Sequence, residues 1–469
     1  MIRFLLTATF TLCLVFTNQA QHPIQNSLDS LYASLNDQAQ PGISIGIWKD
    51  GRVQMMTSYG LASIEHRVPT SSQTVSDIGS VAKQFTSFAI LLLQDQGRLS
   101  LEDHITQYLD YIPAAALDIK IRHLVHHTSG LREVYATESI RGGRSGDAIF
   151  QRDVIELVKR HQDLNFPPGD RFMYCNTSYA LLAEIVEKVG GQSFEKWMKE
   201  HIFNPLGMQH SYIMDQQGEV FPNTADSYYG NLENGYRKAF DNSTLRGQGG
   251  IYTTLEDMMK WLANFSSQQL GSPAVYEAFY TKGLLNNGDS LDYAGGLFID
   301  EWKGIKRIRH GGASAGYRSS IVYYPSYDLG IFIKNNAPSI AIDDALKVIT
   351  EHYLATHFQE EDSEKKEETP EDQEVAMPWT PVLQEYAGQY FSPELETTFS
   401  IQVAGEDLEI SHFRNRAVKT QPAPKRDKFE NRRIFLPEIQ FIRNQQEQVV
   451  GFQVSTSRVR NIYFEKVNR

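Results

Sequence analysis

The sequence predicts an α+β protein with a helical middle, followed by a small all-β domain. Apolar, β-branched segments typical of strands stand near both ends of the first 358 residues, and helical periodicity dominates residues 80–290. Strands that are far apart in the chain can then form one sheet with helices packed against it. Beyond residue 379, apolar and polar residues alternate strongly, which predicts a sandwich or a barrel.

The first 20 residues are predicted to be a secretory signal peptide. Arg3 precedes a 13-residue apolar run at 4–16, and a small residue follows at Ala20. The run is shorter than the roughly 20 apolar residues that span a bilayer. We therefore expect a periplasmic or secreted protein without a membrane span in the mature chain. Cleavage would remove Cys13 and leave Cys175, so the cysteines neither require nor exclude an oxidising compartment.

The next elements follow from hydrophobic periodicity. Leu28, Leu31 and Leu35 indicate a short helix, and two apolar runs separated by Lys49-Asp50-Gly51 predict a hairpin of strands at 43–48 and 53–59. After the helical middle, strand patterns return at 296–300, 306–310, 318–324 and 330–334. A last helix is predicted at 340–358.

An acidic segment divides the 469-residue chain into two predicted domains. Nine acidic residues and two lysines between residues 360 and 374 account for −7 of the net charge of −12. The predicted units are therefore a main domain at 21–358, an acidic linker at 359–378 and a β domain at 379–469. The folded parts are nearly neutral. The net charge of −12 argues against nucleic acid as a partner, because phosphate binding needs a basic face.

Ser80 and Lys83 form the first candidate catalytic pair. Positions i and i+3 share a helix face, and a desolvated lysine can take the proton of a serine hydroxyl. The same spacing occurs at Ser193 and Ser363, so it is not specific alone. An apolar helix after Lys83 distinguishes this pair because it would bury the lysine. A helix cap with a snorkelling lysine is the structural alternative.

Tyr174 and Asn176 form the second candidate element, after a turn-rich segment at 165–170. Residues i and i+2 of an extended backbone face the same side. A tyrosine near a cationic lysine can hold a lowered pKa and move a proton, and an asparagine can bind an amide or ester. Cys175 would point away and act as a packed thiol. A buried tyrosine with a satisfied hydroxyl is the alternative.

The third element is the segment 309–316, which contains His310, Gly312 and Ala313. Small residues on an edge strand allow a substrate backbone to approach and a backbone N–H to act as an oxyanion donor. The segment also matches the G-x-S-x-G pattern at Ser314, but a strand pattern follows where that motif needs a helix. We therefore do not expect Ser314 to be a nucleophile.

No metal or organic cofactor is predicted. His123, His126 and His127 are close in sequence, but no HExxH motif or carboxylate stands at ligand spacing. We interpret them as structural histidines. No glycine-rich loop has a phosphate-binding or dinucleotide-binding pattern.

With these elements in this order, the sequence resembles the serine β-lactamase-like family, which contains class C β-lactamases, penicillin-binding D,D-peptidases and related esterases. The resemblance covers residues 24–357 and includes HTSGL at 127–131, FPPG at 166–169, PLGM at 205–208 and GGIYTT at 249–254. It implies the β-lactamase/transpeptidase-like fold, an antiparallel sheet with a helical subdomain. The C-terminal β domain is similar to the small barrel-like modules appended to some of these hydrolases.

The resemblance also implies roles for the candidate residues. Ser80 would be the acylated nucleophile, Lys83 its base partner and Tyr174 the second acid or base. Asn176 would contact the substrate amide, and the N–H groups of Ser80 and Ala313 would form the oxyanion hole.

One position departs from the β-lactamase pattern. The third motif of those enzymes is Lys-Thr/Ser-Gly, whereas this chain has His310-Gly311-Gly312. That lysine helps to bind the carboxylate of β-lactams and D-Ala-D-Ala, so the resemblance implies weak β-lactam hydrolysis here. Relatives with a histidine at this place include esterases and peptidases. Arg307 or Arg309 could supply the charge, but strand alternation predicts that they face elsewhere.

These observations predict a serine hydrolase that acts through an acyl-enzyme on D-residue peptides, small esters or amides. A weak β-lactamase or penicillin-binding protein of the same fold is one alternative. A non-catalytic binding or sensor protein is another, and a third makes the C-terminal domain the functional part. The expected partner is a small-molecule or peptide substrate, and the sequence predicts no oligomeric state.

Overall fold

The chain folds into a sheet-and-helix domain and a separate β-barrel. The computed structural model describes residues 23–37, 39–144, 146–359, 380–431, 436 and 438–467. The predicted signal peptide, and the predicted linker apart from its first residue, lie outside the described residues. Within the described ranges the helices are α1 Pro23–Asp37, α2 Lys83–Asp95, α3 Ile121–Val125, α4 Val134–Ile140, α5 Gln151–Lys159, α6 Asn176–Gly190, α7 Phe194–Met198, α8 Leu255–Ser267, α9 Pro273–Tyr280 and α10 Ile342–Leu354.

The strands of the first domain come from both ends of its sequence. They are β1 Ile43–Lys49, β2 Arg52–Tyr59, β3 Leu61–Ser63, β4 Val68–Pro69, β5 Ser76–Asp77, β6 Tyr212–Ile213, β7 Tyr228–Asn231, β8 Gly235–Lys238, β9 Ile251–Thr253, β10 Phe298–Trp302, β11 Ile305–Ser314, β12 Tyr317–Tyr324 and β13 Leu329–Asn335. The main sheet is antiparallel with the order β10-β11-β12-β13-β1-β2. The predicted N-terminal hairpin therefore pairs with the late strand β13, and the α+β prediction is confirmed.

Helices cover both faces of this sheet because both faces are apolar. Ile43, Ile45 and Ile47 on β1 pack with α1 and α10 in one core cluster. On the opposite face, α8 lies so close to β1 that a Cβ at Gly46 would meet the side chain of Met259 at 2.6 Å. Helices α2, α6, α8 and α9 form the larger core on that side. The buried helix predicted after Lys83 is α2.

Short strands that the sequence pattern did not reveal lie within the helical middle and just before it. Strands β5, β9 and β6 form a small sheet, and β7 and β8 form a hairpin. These strands have two to four residues each. Strands of this length are too short to show a clear alternation of apolar and polar residues, so the sequence pattern did not predict them. The last helix α10 ends at Leu354, and a 3₁₀ turn at Ala355–His357 follows it.

The C-terminal domain is a closed, eight-stranded antiparallel barrel, as the all-β prediction allowed. Its strands are β14 Gly388–Ser392, β15 Thr397–Ala404, β16 Asp407–His412, β17 Asn415–Pro422, β18 Lys428–Glu430, β19 Glu438–Arg443, β20 Val449–Ser455 and β21 Ile462–Val467. Alternate residues fill the interior with aromatic rings, such as Phe399, Phe441, Phe452 and Phe464. In the described part of the chain, no helix has the length and apolar character to cross a bilayer.

The barrel is docked against the first domain through buried contacts. Ile140 of α4 packs into the barrel core, and the Arg132 guanidinium forms a buried ion pair with Glu394 at 3.0 Å. Gly142 approaches the ring of His412 so closely that a Cβ would meet it at 2.0 Å. This interface fixes the segment 132–142, which leads into the candidate site.

Candidate active site

The candidate site begins where the short strand β5 leads into helix α2. A 3₁₀ turn at Gly79–Ala82 carries Ser80, and α2 starts at Lys83. The Lys83 Nζ lies 3.0 Å from the Ser80 Oγ, so the predicted pair is in contact. The lysine is fully buried, as expected from the apolar helix that follows it.

Three oxygens surround the Nζ of Lys83, one of which is the Ser80 Oγ. Its Nζ lies 2.8 Å from the Asn176 Oδ1 and 2.6 Å from the backbone oxygen of Gln248. A neutral amine can give its two hydrogens to these oxygens and direct its lone pair at Ser80. Burial, with the nearby charge of Arg458, holds the pKa of Lys83 well below its usual value, although Glu133 opposes the shift.

Asn176 links the lysine to a buried carboxylate. It begins α6, and its Nδ2 donates to the Glu133 Oε1 at 2.7 Å. The other carboxylate oxygen of Glu133 accepts from the backbone N–H of Ala136 at 2.8 Å and caps helix α4. Because Glu133 can only accept, it orients the amide so that the oxygen faces Lys83.

Tyr174 lies beside Lys83, and its hydroxyl is buried. Its ring centroid is 4.9 Å from the Lys83 Nζ and 4.2 Å from the ring of His127. The hydroxyl makes no hydrogen bond of regular geometry to a described residue, although the Ser80 hydroxyl is close enough to act on its pKa. The expectation of a lowered pKa is wrong, because burial raises the pKa of Tyr174 above its usual value. Tyr174 is thus a neutral phenol that can donate a proton.

Two glycines allow the third candidate segment to approach Ser80. Gly79 has φ +53°, and a Cβ there would meet the backbone nitrogen of Ala313 at 2.5 Å. A Cβ at Gly312 would meet the carbonyl oxygen of Ile78 at 2.0 Å. Both contacts exclude any larger residue, so the peptide of Ala313 and the turn of Ser80 lie side by side.

The predicted edge strand is an edge over only part of its length. Strand β11 pairs with β10 from Ile305 to Arg309 and with β12 along its other side. Residues 310–314 extend beyond β10, and this free edge faces the cavity. Ser314 is the last residue of β11 and leads by a tight turn into β12, so the helix that a nucleophile elbow needs is absent there.

His310 lies at the end of a buried hydrogen-bond chain. The Cys175 N–H donates to the His127 Nδ1 at 3.1 Å, which leaves the proton of His127 on Nε2. That nitrogen lies 3.2 Å from the Tyr293 hydroxyl, and the hydroxyl lies 3.2 Å from the His310 Nε2. The His310 Nδ1 donates to the Gly311 carbonyl at 2.7 Å. Burial lowers the pKa of His310 to about 3, so this ring carries no positive charge at neutral pH.

The predicted site residues Ser80, Tyr174, Asn176, His310, Gly312 and Ala313 line one open cavity of about 1100 Å³, with Lys83 directly behind Ser80. Burial raises the pKa of the Cys175 thiol to about 11, which fits a packing role. No group of three or more potential metal ligands occurs within the described ranges. His127 has a structural place behind Tyr174.

Several residues of the site were not predicted from the sequence. Glu133 and Gln248 adjoin stretches of the resemblance, at 127–131 and 249–254, and could have been found by extending them. Tyr293 gives no local signal. Arg458 comes from the barrel, more than 280 residues from Tyr174, and its Cζ lies 5.0 Å from the centroid of that ring.

The fold and this constellation define the class of protein. A helical subdomain packed on an antiparallel sheet, with a serine–lysine pair at their junction, is the β-lactamase/transpeptidase-like fold. The model of the beta-lactamase family matches residues 28–345, and the chain belongs to that family.

Relatives in this family carry different names. The chain is 28% identical over 303 residues to a D-aminopeptidase of Gluconobacter oxydans, a match that covers 64% of this chain and 57% of that protein. It is 26% identical over 347 residues to a penicillin-binding protein of Bacillus subtilis, which covers 70% of this chain and 75% of that protein. The chain therefore spans less than two thirds of the D-aminopeptidase it matches.

Among solved structures, the chain is similar to an octameric penicillin-binding protein homologue from Pyrococcus abyssi. The TM-score is 0.62 at 23% identity, and the match covers 94% of this chain and 98% of that one. A similarity that includes nearly the whole of both chains supports the fold of the barrel as well as that of the first domain.

Proposed function

We propose that this protein is a serine hydrolase that forms an acyl-enzyme on Ser80. The observation that carries this proposal is the position of Lys83, whose buried Nζ contacts the Ser80 Oγ and two further oxygens. As a neutral amine it can give its two hydrogens to those two oxygens and keep its lone pair for the Ser80 hydroxyl. A serine in contact with a neutral, buried amine is an activated nucleophile.

Acylation follows from these contacts. The Ser80 oxygen attacks the substrate carbonyl carbon as Lys83 takes the hydroxyl proton. The N–H groups of Ser80 and Ala313 stabilise the negative charge on the carbonyl oxygen. When the bond to the leaving nitrogen breaks, Tyr174 gives its proton to that nitrogen and regains one from Lys83. Water then attacks the ester, Lys83 accepts the proton of the water, and Ser80 recovers it as the acyl group leaves.

The preferred substrates in this proposal are peptides or amides of D-residues. Support comes from the D-aminopeptidases and the penicillin-binding protein among the relatives. The neutral His310 supports the expectation that β-lactams are poor substrates, because the family lysine that binds their carboxylate is replaced. We further propose a periplasmic or secreted location, on the pattern of residues 1–20 alone.

The test compares wild type with Ser80→Ala and, as a control, Ser314→Ala. A fluorophosphonate probe should label wild type and Ser314→Ala but not Ser80→Ala. Hydrolysis of D-alanine p-nitroanilide should fall about 10³-fold or more in Ser80→Ala, and the L-isomer should be a worse substrate of wild type. Labelling that persists in Ser80→Ala, or a wild type that neither reacts nor hydrolyses, would reject a serine hydrolase and favour a binding protein.

A further inference from the structure

The barrel places one cationic side chain in the candidate active site. Arg458 lies on the loop between β20 and β21 and lines the same cavity as Ser80 and Tyr174. Its guanidinium carbon lies 5.0 Å from the centre of the Tyr174 ring. A residue of the second domain therefore borders the reaction centre of the first.

The loop that carries Arg458 is anchored to the first domain. The backbone N–H of Arg460 donates to the Asn165 Oδ1 at 2.8 Å, and the Arg132 guanidinium reaches the same oxygen at 2.7 Å and the carbonyl of Arg460. Within the loop, the backbone N–H of Arg458 donates to the Thr456 hydroxyl at 3.2 Å. These contacts hold the backbone of Arg458 at a fixed distance from Tyr174.

Two other arginines of the cavity wall, Arg309 and Arg318, already have partners. Arg309 pairs with Asp300 at 2.7 Å, and Arg318 donates to the carbonyls of Ala315 and Tyr317 at 3.0 and 2.6 Å. Among the described residues Arg458 forms no ion pair with a carboxylate, and its guanidinium lies over the Tyr174 ring at the cavity wall, where its charge is available to a ligand.

The charged side chains of the cavity favour an anion at Arg458 over one at Ser314. Asp241 contacts the Ser314 hydroxyl, and Asp77 is buried beside the same hydroxyl. A carboxylate at Ser314 would therefore meet the carboxylate of Asp241, while burial raises the pKa of Asp77 to about 7. His310, which occupies the position of the family lysine, is neutral and buried. Arg458 lies over Tyr174 instead and presents the planar donor set that matches a carboxylate.

We propose that Arg458 binds the C-terminal carboxylate of a peptide substrate, so that the barrel completes the substrate site. The preferred substrates are then peptides whose leaving residue ends in a free carboxylate. This inference rests on the proposed function for its chemistry, but the binding of the carboxylate does not depend on acylation.

The test uses two probes that differ only at the C-terminus, N-acetyl-D-alanyl-D-alanine and its C-terminal amide. Arg458→Gln should lower the ratio of kcat/KM for the acid over the amide about ten-fold or more, which is typical of a lost charge-assisted hydrogen bond. The matched control is Arg460→Gln, on the same loop, whose anchoring contacts use backbone atoms. That variant should keep the wild-type ratio.

The same ratio is measured for binding in a Ser80→Ala background by calorimetry, where no turnover occurs. An equal loss for acid and amide in Arg458→Gln would show that Arg458 acts on Tyr174 or on the fold, and it would overturn the inference. So would a wild type without preference for the acid. If Ser80 proves not to be a nucleophile but the binding preference for the acid depends on Arg458, the proposed function fails and this inference stands.

Discussion

At the scale of single residues, the site depends on the direction of its hydrogen bonds and on a glycine that lets two backbone segments approach closely. Glu133 turns the Asn176 amide so that its oxygen receives a hydrogen of Lys83, and Gln248 receives another. Burial then favours the neutral amine over the ammonium. Gly79 lets the turn that carries Ser80, the proposed nucleophile, lie against the backbone of Ala313.

Gly79→Ala should therefore reduce activity more than stability alone explains. The methyl group would strain a backbone at φ +53° and clash with the Ala313 peptide, which moves Ser80 away from the oxyanion donor. The matched control is Gly191→Ala, because φ there is +73° and nothing lies within 4 Å of a new Cβ. Backbone strain should cost each variant about 1–2 kcal/mol of unfolding free energy, and the clash with Ala313 adds to this cost in Gly79→Ala alone.

Ester hydrolysis should fall about 10²-fold in Gly79→Ala and stay near wild type in Gly191→Ala. Thermal unfolding and kcat/KM are measured on both variants. Equal activities would mean that the close approach of Gly79 and Ala313 does not position the nucleophile.

At the scale of elements, strand β13 carries a second buried lysine. Lys334 lies between β1 and β12, and its Nζ donates to the carbonyls of Thr74 at 2.6 Å and Thr253 at 2.7 Å. These bonds tie the main sheet to the segments that carry β5 and β9. Burial lowers the pKa of Lys334 from 10.5 to about 7.

This shift makes stability rise with pH in a defined window. Between about pH 7 and 10.5 the unfolded lysine is protonated and the folded one is largely neutral, so unfolding takes up a proton. The group then adds up to about 1.4 kcal/mol per pH unit to the unfolding free energy. Lys334→Met should flatten the dependence measured from pH 7 to 9, whereas Lys306→Met, an exposed change on β11, should leave it as in wild type. If the unfolding free energies of wild type and Lys334→Met ran parallel against pH, the lowered pKa of Lys334 would be contradicted.

At the scale of the whole molecule, the barrel is part of the site rather than a separate attachment. The Arg132–Glu394 ion pair is buried on both sides, with 2% and 7% of the side chains exposed. Arg132 also holds the loop of Arg458, and its neighbour Glu133 orients Asn176. The interface between the domains is thus connected through hydrogen bonds to Lys83, the proposed base, and to the cavity.

Glu394→Ala should destabilise the protein by about 3–5 kcal/mol, because it leaves the Arg132 guanidinium buried without a counter-charge. Glu396→Ala is the control, since Glu396 pairs with Arg160 at the surface and should cost about 0–1 kcal/mol. Urea unfolding measures both, and ester hydrolysis at low temperature should fall only in Glu394→Ala. A loss of unfolding free energy in Glu394→Ala as small as that in Glu396→Ala would show that the docking of the two domains does not depend on the Arg132–Glu394 pair.

Much of the fold could be predicted from local pattern because the long elements have one apolar face. The hairpin at 43–59, the strands β11 to β13 and the alternation of the barrel are all visible in the sequence. Strands of two to four residues such as β5 and β9 were missed, since they are too short to show a period. The pairing of β1 with β13 was expected only in outline, because register depends on contacts between distant residues.

For the candidate site, the sequence by itself determined the chemical groups, because Ser80, Lys83, Tyr174 and Asn176 stand in recognisable local patterns. Their protonation was decided by tertiary structure. The sequence suggested a tyrosine with a lowered pKa beside a cation, whereas burial disfavours charge on both Tyr174 and Lys83. The place of Arg458 was likewise decided by domain docking, since a side chain on a barrel loop reaches the cavity only when two separately folded cores pack together.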